Sequence, residues 1–248
     1  VAKDIWTFSC PFSRFGLVPV GGRSTAIKLS SGDVWVLAST PLNEATKSKL
    51  DDLGPVKYII GADAVHHLYI GEFKKQYPTA KLIAPEEAIK KKVKDGLTFD
   101  GSWGKDPEGT TYGFENDVLN VQARYACLTQ LYSRYFSGHQ NKEVAFFHPA
   151  SKTLIEADLL FNLPPTEQYS KASSSGHIPL IGHLFNPWSS LHKKFVSAVA
   201  TDKEYVAMKR DCKAVAGWDF KRIIPCHGDV IEERGKEAFV EAFQAFLD

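Results

Sequence analysis

Three short apolar runs, far apart in the chain, each lead into a histidine or an aspartate. Val56-Lys57-Tyr58-Ile59-Ile60 is followed after a short link by His66-His67, Thr153-Leu154-Ile155-Glu156-Ala157 by Asp158, and Arg222-Ile223-Ile224-Pro225-Cys226 by His227. Runs of this length bounded by turn residues read as buried strands. Ligand-binding groups in layered α/β proteins gather beyond the carboxyl ends of such strands. An ionised Asp158 set between Ala157 and Leu159-Leu160-Phe161 needs a cation or several hydrogen-bond donors to offset its desolvation. The chain must therefore fold so that three distant strand ends meet.

The surrounding pattern fits a layered α/β domain. Runs at 25–29 and 34–38 flank Ser30-Ser31-Gly32-Asp33, a hairpin signal. Ala45, Leu50 and Leu53 give 43–53 helical spacing, and Gly54-Pro55 stops it ahead of the 56–60 strand. A helix at 69–77, a strand at 81–84 and a helix opening at Pro85-Glu86-Glu87 continue the alternation. The second half reads as hairpins, with strands at 119–126, 131–136, 143–147 and 153–156. The proline- and serine-rich stretch 161–190 reads as a long irregular segment or lid. Helices at 203–216 and 233–247 bracket the strand at 222–225. One domain spanning 1–248 is expected.

Composition narrows the partner. Thirty Lys and Arg against 29 Asp and Glu leave a net charge of +1, which provides no bulk attraction to nucleic acid or anionic lipid. Lys90-Lys91-Lys92 with Lys94 lacks interleaved aromatic residues and reads as a solvated helix face. No apolar run reaches the length of a membrane span, and Val1 to Cys10 lacks a basic segment leading into an apolar one. Cys10, Cys127, Cys212 and Cys226 are widely spaced, which reads as reduced thiols in a cytoplasmic protein. A small-molecule substrate is the expected partner.

His139, in the turn Ser137-Gly138-His139-Gln140, completes a pattern that resembles the metallo-β-lactamase superfamily. From about Thr25 to Gly228, Gly138-His139 resembles that family's Pro-Gly-His segment. Ala157-Asp158-Leu159-Leu160-Phe161 resembles its Gly-Asp-Leu-Leu-Phe, and Pro225-Cys226-His227-Gly228 its last histidine segment. The resemblance implies a four-layer αββα sandwich and a metal site. The family's His-x-His-x-Asp-His signature falls on Ala62-Asp63-Ala64-Val65-His66-His67, so two histidines are alanine and the aspartate is His66.

The set that remains, His66, His67, Asp158 and His227, is expected to hold one divalent ion. Its donors suit zinc first, with iron or manganese also accepted. His139 is expected as an outer ligand or a polar catalytic group, and Asp158 or His139 as the proton relay. The implied activity is metal-dependent hydrolysis of a small, uncharged or apolar ester, lactone, thioester or amide. An iron oxygenase, isomerase or lyase, or a non-catalytic metal-binding protein, are the alternatives.

Asp63 is expected to bind metal, to orient a ligand histidine or to cap a helix or turn, and Gly228 to let the backbone turn beside the ion. Phe161, Leu163, Tyr169, Leu180, Ile181, Leu184, Phe185 and Trp188 are expected as a pocket wall or as core. His148, His177, His183, His192 and Cys226 are read as structural.

Overall fold

The computed structural model describes residues 1–107, 109–115, 132–177, 182–201 and 203–248. The expected strand at 119–126, Cys127, Leu180 and Ile181 lie outside the described residues.

Strand β1 (Ile5–Cys10) leads to a short ribbon of β2 (Ser13–Arg14) and β3 (Val18–Pro19), then to β4 (Gly22–Lys28) and β5 (Val34–Leu37). Next come α1 (Glu44–Leu53), β6 (Val56–Ile60), α2 (Ile70–Gln76), β7 (Lys81–Pro85), α3 (Glu86–Lys92) and β8 (Gly101–Trp103). The later part holds β9 (Tyr132–Phe136), β10 (Glu143–His148), β11 (Thr153–Ile155), α4 (Thr166–Tyr169) and α5 (Ser190–Ser197). Helix α6 (Tyr205–Ala216), β12 (Arg222–Ile224), α7 (Gly235–Ala242) and α8 (Gln244–Leu247) follow. The helix expected over 233–247 is thus two, divided at Phe243. Asn43 caps α1 by accepting from the Thr46 amide, which fixes the start that its side chain signals in the sequence.

Two sheets result, ordered β1-β4-β5-β6-β7-β8 and β12-β11-β10-β9. Their inner faces meet in one core, with Ile27, Trp35, Tyr58 and Ile60 of the larger sheet against Phe146, Ile155 and Ile224 of the smaller. Because strand side chains alternate, Val34, Val36, Ile59 and Leu82 face outward, under Leu50 of α1 and Phe73 of α2. Leu154 and Ile223 likewise face outward, under Met208 of α6 and Phe239 of α7. The architecture is the four-layer αββα sandwich.

Strands β1 and β8 have no counterpart in the sequence reading. β1 pairs antiparallel with β4, Ile5 opposite Ile27, and β8 adds three residues beside β7, Ile83 opposite Gly101. Neither carries a continuous apolar run; pairing with an existing edge creates both.

Register sets the site. β11 and β12 are parallel, with Ile155 opposite Ile224, so Asp158 and His227, each three residues further on, emerge at the same end of the sheet. The 61–69 loop after β6 is tied to that end by two backbone bonds, Val144 N–H to the Ala62 carbonyl and Ala64 N–H to the Asn141 carbonyl. Among the described residues no helix is long and apolar enough to cross a membrane.

Candidate metal centre

Among the described residues, His66, Asp158 and His227 place ligand-type atoms within 4.8 Å of one another. Each imidazole has its Nδ1 committed. His66 Nδ1 donates to Asp63 Oδ2 at 2.9 Å, and His227 Nδ1 donates to the Gly21 carbonyl at 2.6 Å. The two Nε2 atoms, on the ring edges away from those acceptors, face each other at 3.2 Å. Asp158 Oδ1 lies 3.3 Å from His227 Nε2, yet it is buried and accepts no hydrogen bond. That is consistent with the tautomer, because the His227 hydrogen sits on Nδ1.

These separations fit an ion. Donors roughly 2.0–2.1 Å from a tetrahedral centre stand about 3.3 Å apart, and the two measured gaps are 3.2 and 3.3 Å. Carboxylate or carbonyl acceptors on the far ring nitrogens of both histidines are what metal-bound imidazoles need for fixed orientation. Asp63 orients His66 and caps the turn, since its Oδ1 also accepts from the Val65 and His66 amides, and it stands outside the three-residue cluster.

Charge in the cluster is balanced by geometry. Burial pushes the His66 imidazolium down, but Asp63 and then Asp158 outweigh it and raise His66 to about 9. Burial pushes Asp158 up, and His66, His227 and His139 overcome it and hold the carboxyl well below the usual range. A divalent ion would take the place of the proton on His66.

Only one oxygen of Asp158 is open. The other, Oδ2, accepts from Asn141 Nδ2 at 2.7 Å. An amide donor stands where a second cation would have to approach, and Ala62 and Ala64 supply no ligands there. The arrangement suits a single ion.

His67 and His139, both expected as ligands, stand outside the three-residue cluster. Neighbouring side chains in a turn diverge, and the His67 ring is directed toward α3. There burial, then Lys91 and Lys92, push its imidazolium down. Lys91 is not simply a solvated face residue, because its ammonium donates to the Ala64 carbonyl at 2.6 Å. His139 is 1% exposed, and its Nδ1 accepts the Asn141 amide at 3.2 Å. Its hydrogen therefore sits on Nε2, a buried group without a partner among the described residues. That tautomer makes Nε2 a donor, not a ligand.

Two glycines are explained by backbone packing. Gly228 has φ +88°, and a Cβ there would meet the Asn162 carbonyl oxygen at 2.2 Å. Its turn serves contact with the Asn162 backbone rather than room for an ion. A Cβ on Gly138 would lie 2.6 Å from the Met208 nitrogen, so Gly138 lets the His139 turn sit on α6.

Arg23, fully buried, holds the His227 loop from below. Its Nη1 donates to the Pro225 and Gly228 carbonyls at 2.7 and 2.8 Å, and its Nη2 to Glu167 at 2.6 Å. Arg23 follows Gly21-Gly22 just ahead of the 25–29 run, and the sequence carries no clear signal for this role. Phe161 stacks on the His227 ring at 5.1 Å and 10°, and Phe12 lies near-parallel to it at 6.0 Å and 19°.

Two cavities open on the cluster. One of about 330 Å³ takes His66 and His227 into its wall together with Phe12, Val65 and Leu68. The other, about 310 Å³, is lined by Asp158 and His139 with Phe161, Leu163, Phe185 and Phe195. Of the expected apolar wall, Phe161, Leu163 and Phe185 are thus present. Tyr169 instead packs behind the ribbon, donating to the Phe12 carbonyl at 3.0 Å, and Leu184 and Trp188 are 41% and 42% exposed. Leu191 and Phe195 of α5 complete the wall. Their i,i+4 spacing behind the capping residue Ser189 was the available sign.

The remaining histidines lie apart from the cluster. His148 Nδ1 meets Ser151 Oγ at 2.8 Å, while His177 and His183 are exposed. His192 Nε2 accepts the Phe161 amide at 2.9 Å, and burial pushes His192 down to about 4. Its folded value lies below the roughly 6.5 of an unfolded chain. Its contribution is therefore complete above about pH 6.5 and lost as pH falls toward 4, a change of about 3 kcal/mol. Denaturant titrations at pH 7 and pH 4.5 are expected to show a smaller stability difference for His192→Gln, which keeps an acceptor but cannot titrate. An equal difference in both proteins would remove His192 as the cause.

Residues 2–183 match the model of a family described as a domain of unknown function, DUF4336. The chain belongs to the DUF4336 family. The span shared with that family contains His66, His139 and Asp158, and His227 lies beyond it. No curated protein sequence matches this DUF4336 chain.

Solved metallo-β-lactamase structures share its fold. The enzyme from Pontibacter korlensis is 14% identical with a TM-score of 0.58, over 100% of this chain and 97% of that one. FIM-1 from Pseudomonas aeruginosa in its mono-zinc form gives 14% and 0.59 over 100% and 95%. The Erythrobacter litoralis enzyme, with β-mercaptoethanol in its active site, gives 14% and 0.61 over 99% and 93%. This DUF4336 protein is a divergent member of the metallo-β-lactamase fold.

Proposed function

We propose that this protein is a metal-dependent hydrolase of small, uncharged, apolar acyl compounds, with one zinc ion held by His66, Asp158 and His227. The observation that carries the reading is the set of three ligand-type atoms spaced at 3.2 and 3.3 Å, the spacing of a tetrahedral ion's ligands. When bound, such an ion polarises an acyl carbonyl and makes water more acidic. The protein's own groups supply the rest. Asp63 and the Gly21 carbonyl keep both imidazoles aimed, and Asn141 holds Asp158 so that its free oxygen faces them. The His139 Nε2–H, buried in the wall beside Asp158, donates to the carbonyl oxygen as negative charge develops there. The apolar wall excludes water from the acyl group.

Elemental analysis of protein expressed with zinc, iron and manganese supplied is expected to find about one ion per chain, in keeping with a single closed donor set. Hydrolysis of activated esters is expected to fall with chelation and return with metal. Ion content near zero under all three supplies would sink the reading.

Two histidines and one carboxylate also form the donor set of non-haem iron oxygenases, which favours one competing reading. Oxygen uptake by the iron-loaded protein, without ester hydrolysis by the zinc-loaded one, would select it.

A further inference from the structure

We infer that the substrate is a linear ester with two separate apolar arms, the acyl arm held in the cavity beside His139 and the alcohol arm in the cavity beside His66. The inference rests on the hydrolase reading and specifies its substrate.

The two cavities, about 310 and 330 Å³, are each at the lower end of the roughly 300–1,000 Å³ spanned by ligand pockets. Each has room for an aromatic ring or a short alkyl chain. They divide the cluster between them, one walled by Asp158 and the other by His66 and His227, and among the described residues the only lining residue they share is Arg14. A linkage lying over the cluster therefore projects one group into each. A lactone ties its acyl and alkoxy parts into one ring, which would fill a single cavity and leave the other to water.

The assignment of arms follows from hydrogen bonding. The unpartnered buried donor, His139 Nε2, belongs to the wall of the 310 Å³ cavity, so the carbonyl oxygen and its acyl chain lie there. Phe161, Phe185 and Phe195, with ring centroids 5.2–5.7 Å apart, give that arm an aromatic lining. The leaving alcohol is then on the side of Val65 and Leu68. Among the described residues neither cavity offers an uncommitted cation in its depth. Arg23 is consumed by two carbonyls and Glu167, while Arg14 is exposed at the shared edge, so neither arm carries a carboxylate. In the reaction the oxygen of water joins the acyl carbon and the acyl C–O bond breaks. The alcohol departs with one hydrogen from that water, and the acid is released.

The test crosses acetyl, hexanoyl and benzoyl acyl arms with methyl, butyl and benzyl alcohol arms on the metal-loaded protein. Lengthening either arm is expected to raise kcat/KM. Phe195→Ala is expected to remove about tenfold of the gain from the acyl arm alone, and Leu68→Ala a similar part of the gain from the alcohol arm alone, as for a lost apolar contact in a pocket. Binding of the matching dialkyl ketones and ethers, which cannot be hydrolysed, is measured by calorimetry and should follow the same two-way pattern. Hydrolysis in which one arm has no effect, or in which both variants affect the same arm, overturns the inference and leaves the hydrolase reading intact. Two-armed ketone binding without ester hydrolysis overturns the hydrolase reading and supports the two-cavity assignment.

Discussion

Replacing Asp158 with asparagine is expected to reduce bound metal from about one ion per chain to below a tenth and to lower kcat/KM by at least about a thousandfold. The substitution keeps the volume and removes only the charge. In the native protein the carboxylate has one oxygen tied to Asn141 and the other buried 3.3 Å from His227 Nε2. A neutral amide there provides one weaker donor to an ion and removes the negative charge that offsets the ion's own. A bound Lewis acid contributes several kcal/mol to stabilising the charge that develops in acyl transfer, and each 1.36 kcal/mol is about tenfold in rate. Elemental analysis and ester hydrolysis measure the two losses separately. Retention of a full complement of metal by the folded variant would show that the ion is held elsewhere.

Arg23→Met is expected to cost about 3–5 kcal/mol of stability, the range for breaking a buried ion pair by removing one partner. Methionine fills part of the space but leaves the Pro225 and Gly228 carbonyls, both donor-dependent on the guanidinium, without partners. Glu167 loses its ion pair too, but at 43% side-chain exposure it can turn to water, so the orphaned carbonyls carry most of the loss. Those carbonyls flank His227, so metal affinity is expected to weaken along with stability. Arg23→Lys should recover part of the stability, because one ammonium cannot span both carbonyls and Glu167 as the planar guanidinium does. Equilibrium unfolding in urea reads the first effect and competitive chelation the second. A loss under 1 kcal/mol in Arg23→Met would mean that the loop holds its shape unaided.

Much of the fold was legible because its elements carry local signals. The Ser30-Gly32 turn, Asn43 ahead of a helical spacing and Gly54-Pro55 before Val56 each act within a few residues. The elements of the first sheet from β4 to β7 accordingly lie where the sequence places them. β1 and β8 were not legible, since an edge strand with a mixed pattern is decided by the neighbour it pairs with.

The site divides in the same way. Residue type and strand context singled out His66, Asp158 and His227, because a carboxylate in an apolar run and histidines past strand ends have few inexpensive explanations. His67 was expected with them and faces the α3 lysines instead, since which of two adjacent rings turns inward depends on the loop's anchoring at Ala62 and Ala64. Of the two roles expected for His139, outer ligand or polar catalytic group, a backbone amide 3.2 Å from Nδ1 favours the second by fixing its tautomer.

By itself, then, the sequence determined the strands β4 to β7 and β9 to β12, their order, and which polar residues stand at their ends, all properties of short stretches of chain. Only the tertiary structure decided which of those residues meet. The parallel register of β11 and β12, the Asn141 amide on Asp158 and the Arg23 clamp join positions far apart in the chain. A ligand set is selected by distances of about 3 Å, and distances of that kind between remote residues exist only once the two sheets have packed.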